Sequence, residues 1–522
     1  MKSLTCSKLM CYKSCTKMKI NTPTSKILPF QEFIRPALPT VYGNVDYTRL
    51  SDEIHRIDEL LRLSGVERLF VEMSLESYHQ RAQEAKTAIK TKALLNYQKH
   101  SFRALRCTIL MSLLGENYRG MSQRLAECPL FRWFCGMEEM SHIRVAGKST
   151  LQEYSNWLAP EKMRAVVEAL LLASSHKEQP LNLANAIELQ TVWMDTTCVK
   201  ANVHFPVDWV LLRDGVRTLI KATLLIRKHG LKERMEAPEV FMTQMNRLSI
   251  AMTQNRRARD SKKRRKKTLR LMKRQVNIVS AHARRHRELL DKEWERSDWT
   301  RKQAEQVLRR IDCVLELLPL AKKQAHERII GQRPVPNEDK ILSLYEPELH
   351  VIVRGKAGAE VEFGNTLLLA EQKNGMILDW SLRQHAAPAD CKQLAESVLR
   401  MEKLFGTEII QALGADRGFE SQKNIQLLES KNIYNAICAK DPHKLQQRIK
   451  EEKFAAIQKR RAQTEARIAI FKNAFLGRPL RAKGFGHRDT AIAWHVLTHN
   501  LWVLARLKQA PATSPPLEAV AA

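Results

Sequence analysis

The stretch Glu188-Leu-Gln-Thr-Val-Trp-Met-Asp195-Thr-Thr-Cys-Val199 decides the fold class, because it is the clearest early departure from a helical pattern. It alternates β-branched and aromatic residues, which suit the pleated, half-buried surface of a strand. Asp195 lies inside this strand, where burial of a lone carboxylate is costly unless a partner is present. The stretch therefore predicts a core strand that carries a functional acid.

From residue 349 onwards, strand and helix patterns alternate, which predicts an α/β domain with a mixed sheet. Further strands are predicted over 361–369, 376–382, 409–414 and 433–438. Helices are predicted over 389–404, 421–430, 444–475 and 489–507. The turn signal Lys373-Asn-Gly375 predicts a hairpin between the first two of these strands. Counted from the strand at 190–199, Asp416 follows the fourth strand of the domain.

The other regions are helical or irregular. Apolar residues recur at three- and four-residue spacing over 52–175 and again over 215–330, as in amphipathic helices. The predicted parts are an irregular lead-in at 1–50, a helical N-terminal domain at 51–185, an α/β domain at 186–507 interrupted by a helical insertion at 205–345, and a disordered tail at 508–522. DNA binding by the N-terminal domain is left open, because short helices with tight turns build DNA readers and other small domains alike.

The charge of the chain predicts a polyanionic partner. There are 87 Lys and Arg against 56 Asp and Glu, a formal charge of +31, and nucleic acid is the commonest partner of so basic a protein. Residues 251–290 alone carry 15 Lys or Arg and 2 acids. We interpret this block as a helix along the DNA backbone; the alternative is a solvated arm that adds only solubility. The predicted contacts are Arg256, Arg257, Lys262, Lys263, Arg264, Arg265, Lys266 and Lys267.

The composition favours a cytoplasmic protein. No apolar run reaches the roughly 18 residues that a membrane-spanning helix needs. The basic N-terminus lacks the apolar stretch of a secretory signal. The ten cysteines are scattered, which is typical of free thiols in a reducing compartment.

Three acids occupy positions that suit catalysis. Asp195 lies within a strand, Asp416 directly follows another, and Glu465 lies on the long C-terminal helix. Converging carboxylates favour Mg²⁺, and two such ions roughly 3.5–4 Å apart suit in-line attack at phosphorus. Each acid also has a structural alternative: a turn cap for Asp195, an ion pair with Arg417 for Asp416, and a solvated helix face for Glu465.

A family resemblance joins these positions. Asp195-Thr-Thr, Gly414-Ala-Asp-Arg-Gly-Phe419 and the helical Glu465 resemble the three acid motifs of bacterial insertion-sequence transposases of the DDE type, which have an RNase H-like fold. The stretches 201–217 and 477–484 and the C-terminal helix are also similar to that family. The resemblance covers about 100–507.

Around the last acid, many of these transposases carry a signature of Tyr, Arg, Glu and Lys at characteristic spacing. Arg461, Glu465 and Lys472 match the last three positions. Gln458 stands where the signature has Tyr, which departs from the pattern but leaves the acid intact.

The resemblance implies both chemistry and partners. Asp195, Asp416 and Glu465 would hold two Mg²⁺ ions, for which Mn²⁺ can substitute. The DNA contacts implied near this site are Arg461, Lys472, Arg478, Arg481 and Lys483. The activity implied is cleavage at the inverted repeats of a transposon and attack of the freed 3′-OH on target DNA, with a homodimer on the two ends, in the bacterial cytoplasm and at the nucleoid. Two alternatives remain open: an RNase H-fold nuclease without strand transfer, and a catalytically silent DNA-binding relic.

Overall fold

The protein is described here by a computed structural model, which covers residues 35–137, 142–176, 181–255, 259–356, 359–477 and 479–510. The helices are α1 Val45–Leu63, α2 Val66–Glu84, α3 Thr91–Leu114, α4 Tyr118–Glu127, α5 Pro129–Phe134, α6 Lys148–Tyr154, α7 Pro160–Ser175, α8 Asp208–Lys228, α9 Pro238–Gln254, α10 Ser261–Glu293, α11 Arg301–Ala325, α12 Leu394–Phe405, α13 Gln422–Ser430, α14 Pro442–Ile449, α15 Glu452–Ile470 and α16 Phe485–Ala505. The strands are β1 Thr191–Lys200, β2 His350–Lys356, β3 Ala359–Gln372, β4 Ile377–Leu382, β5 Ala412–Ala415 and β6 Tyr434–Ile437.

Both predicted termini extend beyond the described residues. The lead-in is described only from residue 35, and the tail only to residue 510. Helix α1 begins at Val45, inside the stretch predicted to be irregular, because the side chain of Asn44 accepts a hydrogen bond from Asp46 N and caps the first turn.

The strands form one mixed six-stranded sheet, which confirms the α/β prediction. The order is β2-β3-β1-β5-β6, and β4 also pairs with β3. Strand β1 is central: it pairs antiparallel with β3 and parallel with β5, and β6 continues the parallel side. The predicted hairpin between β3 and β4 is confirmed, and Gly375 adopts the positive φ of +93° that its turn requires.

The edge strand β2 was missed by the sequence reasoning. It pairs with β3 through a register shift beyond Val353, whose side chain is exposed. A bulged edge strand buries too little apolar surface to show an alternating pattern. Asp416 therefore follows the fifth strand along the chain and not the fourth.

The predicted long helix over 444–475 was also wrong. The chain forms α14 and α15 with a break at Lys450 and Glu451, and a π-helical turn over Phe471–Leu476. No Gly or Pro marks the break. It coincides with side-chain contacts of the residues around it: Glu451 accepts a 2.7 Å hydrogen bond from Tyr434 Oη, and the Arg448 guanidinium packs 4.4 Å from the Phe454 ring.

The N-terminal helices and the sheet share one hydrophobic core. Buried residues of α1–α7 and α16 and of the strands β1, β3, β4 and β5 belong to a single cluster, and α16 packs against α1, α3 and α7 as well as β4. The Asn500 side chain on α16 hydrogen-bonds both backbone groups of Ile377 at 2.9 Å, so the helix also satisfies the edge of β4. Arg164 of α7 lies over the Trp380 ring, at 3.9 Å.

The insertion between β1 and β2 is helical, as predicted, and has a core of its own. Apolar residues of α8, α9, α10 and α11 form this second cluster. At its base, the buried carboxylate of Asp208 accepts 2.9 Å hydrogen bonds from Gln324 and Arg328. Lys200 at the end of β1 and His350 at the start of β2 are both in register with Gly364 of β3. Across the described ranges, no helix combines the length and apolarity needed to cross a membrane.

Candidate active site

Asp195 and Asp416 lie next to each other at the carboxyl-terminal side of two parallel strands. The last paired residues of β1 and β5 are Met194 and Ala415, so each acid is the residue that immediately follows this pair. Adjacent strands lie about 4.8 Å apart, which brings the two backbones together. The two acids that the sequence reasoning selected are therefore neighbours in the fold.

Asp195 is held in an unfavourable environment for its charge. Burial raises its pKa from the ordinary value of 3.8 to about 6. A 2.7 Å hydrogen bond from Thr196 N and the positive charge of Arg461 lower the pKa, whereas the negative charges of Asp416 and Glu465 both raise it. The charges of both other predicted acids therefore influence the pKa of Asp195.

Asp416 is oriented by the turn that follows β5. Its Oδ1 accepts a 2.9 Å hydrogen bond from Gly418 N and caps the short 3₁₀ turn at Arg417–Phe419.

Helix α15 carries Glu465 and packs closely against the centre of the sheet. Trp193 Nε1 donates a 2.9 Å hydrogen bond to Ile457 O. A Cβ at Gly414 would lie 2.8 Å from the Ile457 side chain and 3.0 Å from the Trp193 ring. A glycine at 414 therefore permits the approach that brings α15 beside the two aspartates.

Glu465 lies at the open side of this group. Its side chain is 61% exposed and lies 3.6 Å from the Arg461 guanidinium, one helical turn away. Within the described residues, no group of three or more His, Cys, Asp or Glu side chains is gathered closely enough to hold a metal ion. Asp195 and Asp416 are thus held by the sheet, while Glu465 faces Arg461 and solvent.

A fourth carboxylate, Asp390, lies at the same end of the sheet and was missed by the sequence reasoning. Its Oδ1 accepts a 2.9 Å hydrogen bond from Thr196 Oγ1, beside Asp195. A Cβ at Gly418 would lie 3.0 Å from both Asp390 Oδ2 and Asp416 Oδ1, so the two carboxylates face each other across this glycine. The sequence offered no strong signal, because Asp390 follows a proline in a connecting segment before α12.

Gln458, which stands at the Tyr position of the signature, contacts both the sheet and its own helix through its side chain. Gln458 is half-buried, and its side chain hydrogen-bonds Ala415 O, Ala436 O and Arg461 Nε. It therefore connects α15 to the ends of β5 and β6.

The cations predicted near the acids differ in accessibility. Lys472 is only 9% exposed, and its Nζ donates a 3.0 Å hydrogen bond to Thr197 Oγ1 on β1. Arg481 and Lys483 are exposed on the loop before α16, which Leu480 N ties to Lys200 O. Arg478 lies outside the described residues. Phosphate contact by Lys472 stays a prediction, and it requires DNA to reach an almost fully covered amino group.

Helix α10 presents four of the eight predicted basic contacts to solvent. Lys262, Lys263, Arg264 and Lys267 are exposed, whereas the opposite face of the helix packs into the core of the insertion. Arg265 and Lys266 are half-buried. Arg256 and Arg257 lie outside the described residues.

Arg265 differs from its neighbours in the block. Its guanidinium packs 5.1 Å from the centre of the Trp209 ring on α8. It therefore has a packing role within the insertion.

Other candidate residues have structural roles. Asp208 accepts a hydrogen bond from Arg328 at the base of the insertion, and Asp214 is paired with Arg213 at 2.9 Å. His499 is buried and His495 is half-buried, and burial lowers the pKa of each to about 4, so both are neutral near pH 7. Their four-residue spacing on α16 is thus not a zinc-binding arrangement.

No family model, curated protein or solved structure matches this chain. The functional interpretation therefore depends on the residues and their geometry.

Proposed function

We propose that this chain is a DDE transposase, in which an RNase H-like domain uses Asp195, Asp416 and Glu465 to cleave transposon ends and join them to target DNA. The observation that carries the proposal is the adjacency of Asp195 and Asp416, which directly follow the paired segment of the parallel strands β1 and β5, with Glu465 close enough to raise the pKa of Asp195.

The sheet supports the RNase H-like part of the proposal. Without the edge strand β2, the order is β4-β3-β1-β5-β6, with three antiparallel strands followed by two parallel ones. The first acid lies on the first and central strand, the second at the end of its parallel neighbour, and the last on a later helix. This is the arrangement of acids that the resemblance predicts for an RNase H-like domain.

The donor set fits divalent magnesium. Carboxylate oxygens are the ligands that Mg²⁺ prefers, and it needs few from the protein because water and phosphate fill the rest. Burial, with smaller contributions from the charges of Asp416 and Glu465, raises the pKa of Asp195, and a bound divalent cation would stabilise its charged form. When bound, Mg²⁺ supplies electrostatic stabilisation of the attacking and leaving oxygens of a phosphodiester.

The protein's own residues provide position and charge. Asp195 and Asp416 are oriented by backbone hydrogen bonds from Thr196 and Gly418, so their oxygens need little reorganisation. Glu465 lies 3.6 Å from Arg461, and a Glu465 side chain that turned toward a bound cation would leave the guanidinium available to a DNA phosphate. No covalent protein–DNA intermediate is needed in this scheme.

The charge distribution supports a large DNA surface. The exposed basic face of α10 and the loop residues Arg481 and Lys483 lie on separate parts of the chain. Phosphate contacts from both would orient a duplex without reading its bases. Two ends held at once imply two copies of the chain, so we expect a homodimer on DNA.

The test uses a supercoiled plasmid that carries this gene within its native flanking DNA, incubated with purified protein and Mg²⁺. Expected products are breaks at both flanks with 3′-OH termini, and joining of the released segment to a second plasmid. The matched control variants are Asp195→Asn, which should abolish both products, and Asp208→Asn, which alters a buried aspartate outside the site.

The outcomes separate the candidate functions. Cleavage with joining supports a transposase. Metal-dependent cleavage without joining would instead establish a nuclease. Binding of the plasmid without any cleavage, in the presence of either Mg²⁺ or Mn²⁺, would leave a DNA-binding relic and overturn the proposal.

A further inference from the structure

We propose that Gln458 is a positioning residue that holds Arg461 beside the acids. This inference rests on the proposed function. It concerns a residue that touches neither the scissile DNA nor the acids themselves.

The amide of Gln458 uses its full hydrogen-bonding capacity. Its Nε2 group donates to Ala415 O, at 3.3 Å, and to Ala436 O. Its Oε1 accepts from Arg461 Nε at 3.0 Å and from Cys438 Sγ at 3.1 Å. A carboxamide has two donor hydrogens and two acceptor lone pairs, so each is matched by one partner here.

Both donor contacts lie beside the acids. Ala415 is the last residue of β5 and directly precedes Asp416, and Ala436 lies on the neighbouring strand β6, where it is paired with Gly414. One side chain on α15 therefore fixes the helix against the two strands at the level of the acids. Burial raises the pKa of Cys438, which keeps its thiol protonated and able to donate.

The acceptor contact sets the direction of Arg461. Gln458 Oε1 binds the Nε atom of the guanidinium, and one of the terminal nitrogens lies 3.6 Å from Glu465. The charge of Arg461 also reaches Asp195, because it lowers the pKa of that acid. With Nε engaged, the outer nitrogens of the guanidinium remain directed toward the acids, where a DNA phosphate would bind.

Substitutions at position 458 separate the donor role of the amide nitrogen from the acceptor role of the amide oxygen. Gln458→Met keeps the length of the side chain but loses all four hydrogen bonds. Gln458→Glu keeps an acceptor for Arg461 but places a carboxylate against the carbonyl oxygens of Ala415 and Ala436. Both variants should lose thermal stability for lack of the donors, whereas only Gln458→Met should release Arg461.

The experiment compares wild type, Gln458→Met, Gln458→Glu, Arg461→Ala and the double variant Gln458→Met/Arg461→Ala in the plasmid cleavage assay, with thermal unfolding of each. A charge-assisted hydrogen bond to phosphate is worth about 10- to 100-fold in rate. We expect Arg461→Ala to lower kcat by about that factor and Gln458→Met by about tenfold, with KM nearly unchanged. The double variant should be no slower than Arg461→Ala alone, and Gln458→Glu should cleave faster than Gln458→Met.

Different results would overturn the proposed function and the proposed role of Gln458. A wild-type protein that neither cleaves nor joins DNA would overturn the proposed function, and this inference with it. An active wild type in which the two single losses multiply in the double variant would overturn the inference alone. So would a Gln458→Met variant with lower stability but wild-type kcat, because Gln458 would then be only structural.

Discussion

Replacing Asp195 by asparagine should stabilise the metal-free protein while it removes activity. The carboxylate is desolvated within β1 and faces the charges of Asp416 and Glu465, which together raise its pKa from 3.8 to about 6. A shift of this size corresponds to up to about 3 kcal/mol of unfavourable free energy in the charged form. Asparagine has nearly the same shape and can still accept the hydrogen bond from Thr196 N.

The effect has a defined dependence on pH. Because the folded-state pKa lies above the unfolded one, Asp195 lowers stability progressively as pH rises from about 4 through about 6, and its cost is complete above that range. Asp195→Asn should therefore raise the free energy of unfolding by about 1–3 kcal/mol at pH 8. The gain should disappear near pH 4, where the aspartate is protonated and uncharged.

The assay is urea unfolding at pH 8 and pH 4, with and without Mg²⁺. Mg²⁺ should stabilise wild type but not Asp195→Asn, because metal that binds only the folded state shifts the unfolding equilibrium. The comparison variant is Asp208→Asn, which weakens a paired buried carboxylate and should be destabilising. A loss of stability in Asp195→Asn at pH 8 would refute the reasoning, because it would mean that the carboxylate has a compensating structural partner.

Three further predictions follow from the same structure. Asp416→Asn and Glu465→Gln should each lower the rate of end cleavage at least about 100-fold while leaving metal-free DNA binding intact in a gel-shift assay; retained cleavage in either would remove that residue from the site. His495 and His499 are neutral when folded, with a pKa of about 4, so stability should be fully present above pH 6.5 and fall by up to about 3 kcal/mol for each residue as pH drops toward 4; urea titrations of His495→Asn and His499→Asn that keep the wild-type slope would contradict this. The triple variant Lys262→Gln, Lys263→Gln, Lys267→Gln should reduce the salt dependence of DNA binding by about 2–3 in log–log slope, whereas Arg265→Gln, which disturbs the packing on Trp209, should act mainly on stability; equal slopes for wild type and the triple variant would leave α10 as a solvated arm.

Long, regular patterns predicted the fold well, and tertiary contacts explain the failures. The strand around Asp195, the hairpin at Gly375 and the helical insertion were all visible as local periodicity. Strand β2 was not visible in this way, because a bulged edge strand is determined by its pairing with the neighbouring strand β3 and has no local periodicity of its own. The break before α15 was also not predicted, because it is accompanied by a contact between Tyr434 and Glu451, which local periodicity does not reveal.

The candidate site was predictable only in part. Asp195 was predicted within one strand and Asp416 directly after another, and the structure brings these two together. Asp390 was missed because its relation to Thr196 and Asp416 depends on the packing of two short turns. The network of Gln458 was likewise invisible, since a lone glutamine on a helix has no signature of its own.

The attachment of the insertion makes it an exchangeable module. The chain leaves the sheet at Lys200 and returns at His350, and these residues flank Gly364 from opposite sides. They are separated by about two strand spacings, roughly 10 Å, which a linker of about four residues can span. Since the insertion also has its own core, shortening, enlargement or replacement of this arm can occur during evolution without rebuilding the sheet. A minimal chain with the arm replaced by such a linker should keep the sheet, and it would be a practical scaffold for grafting a different arm at the same place.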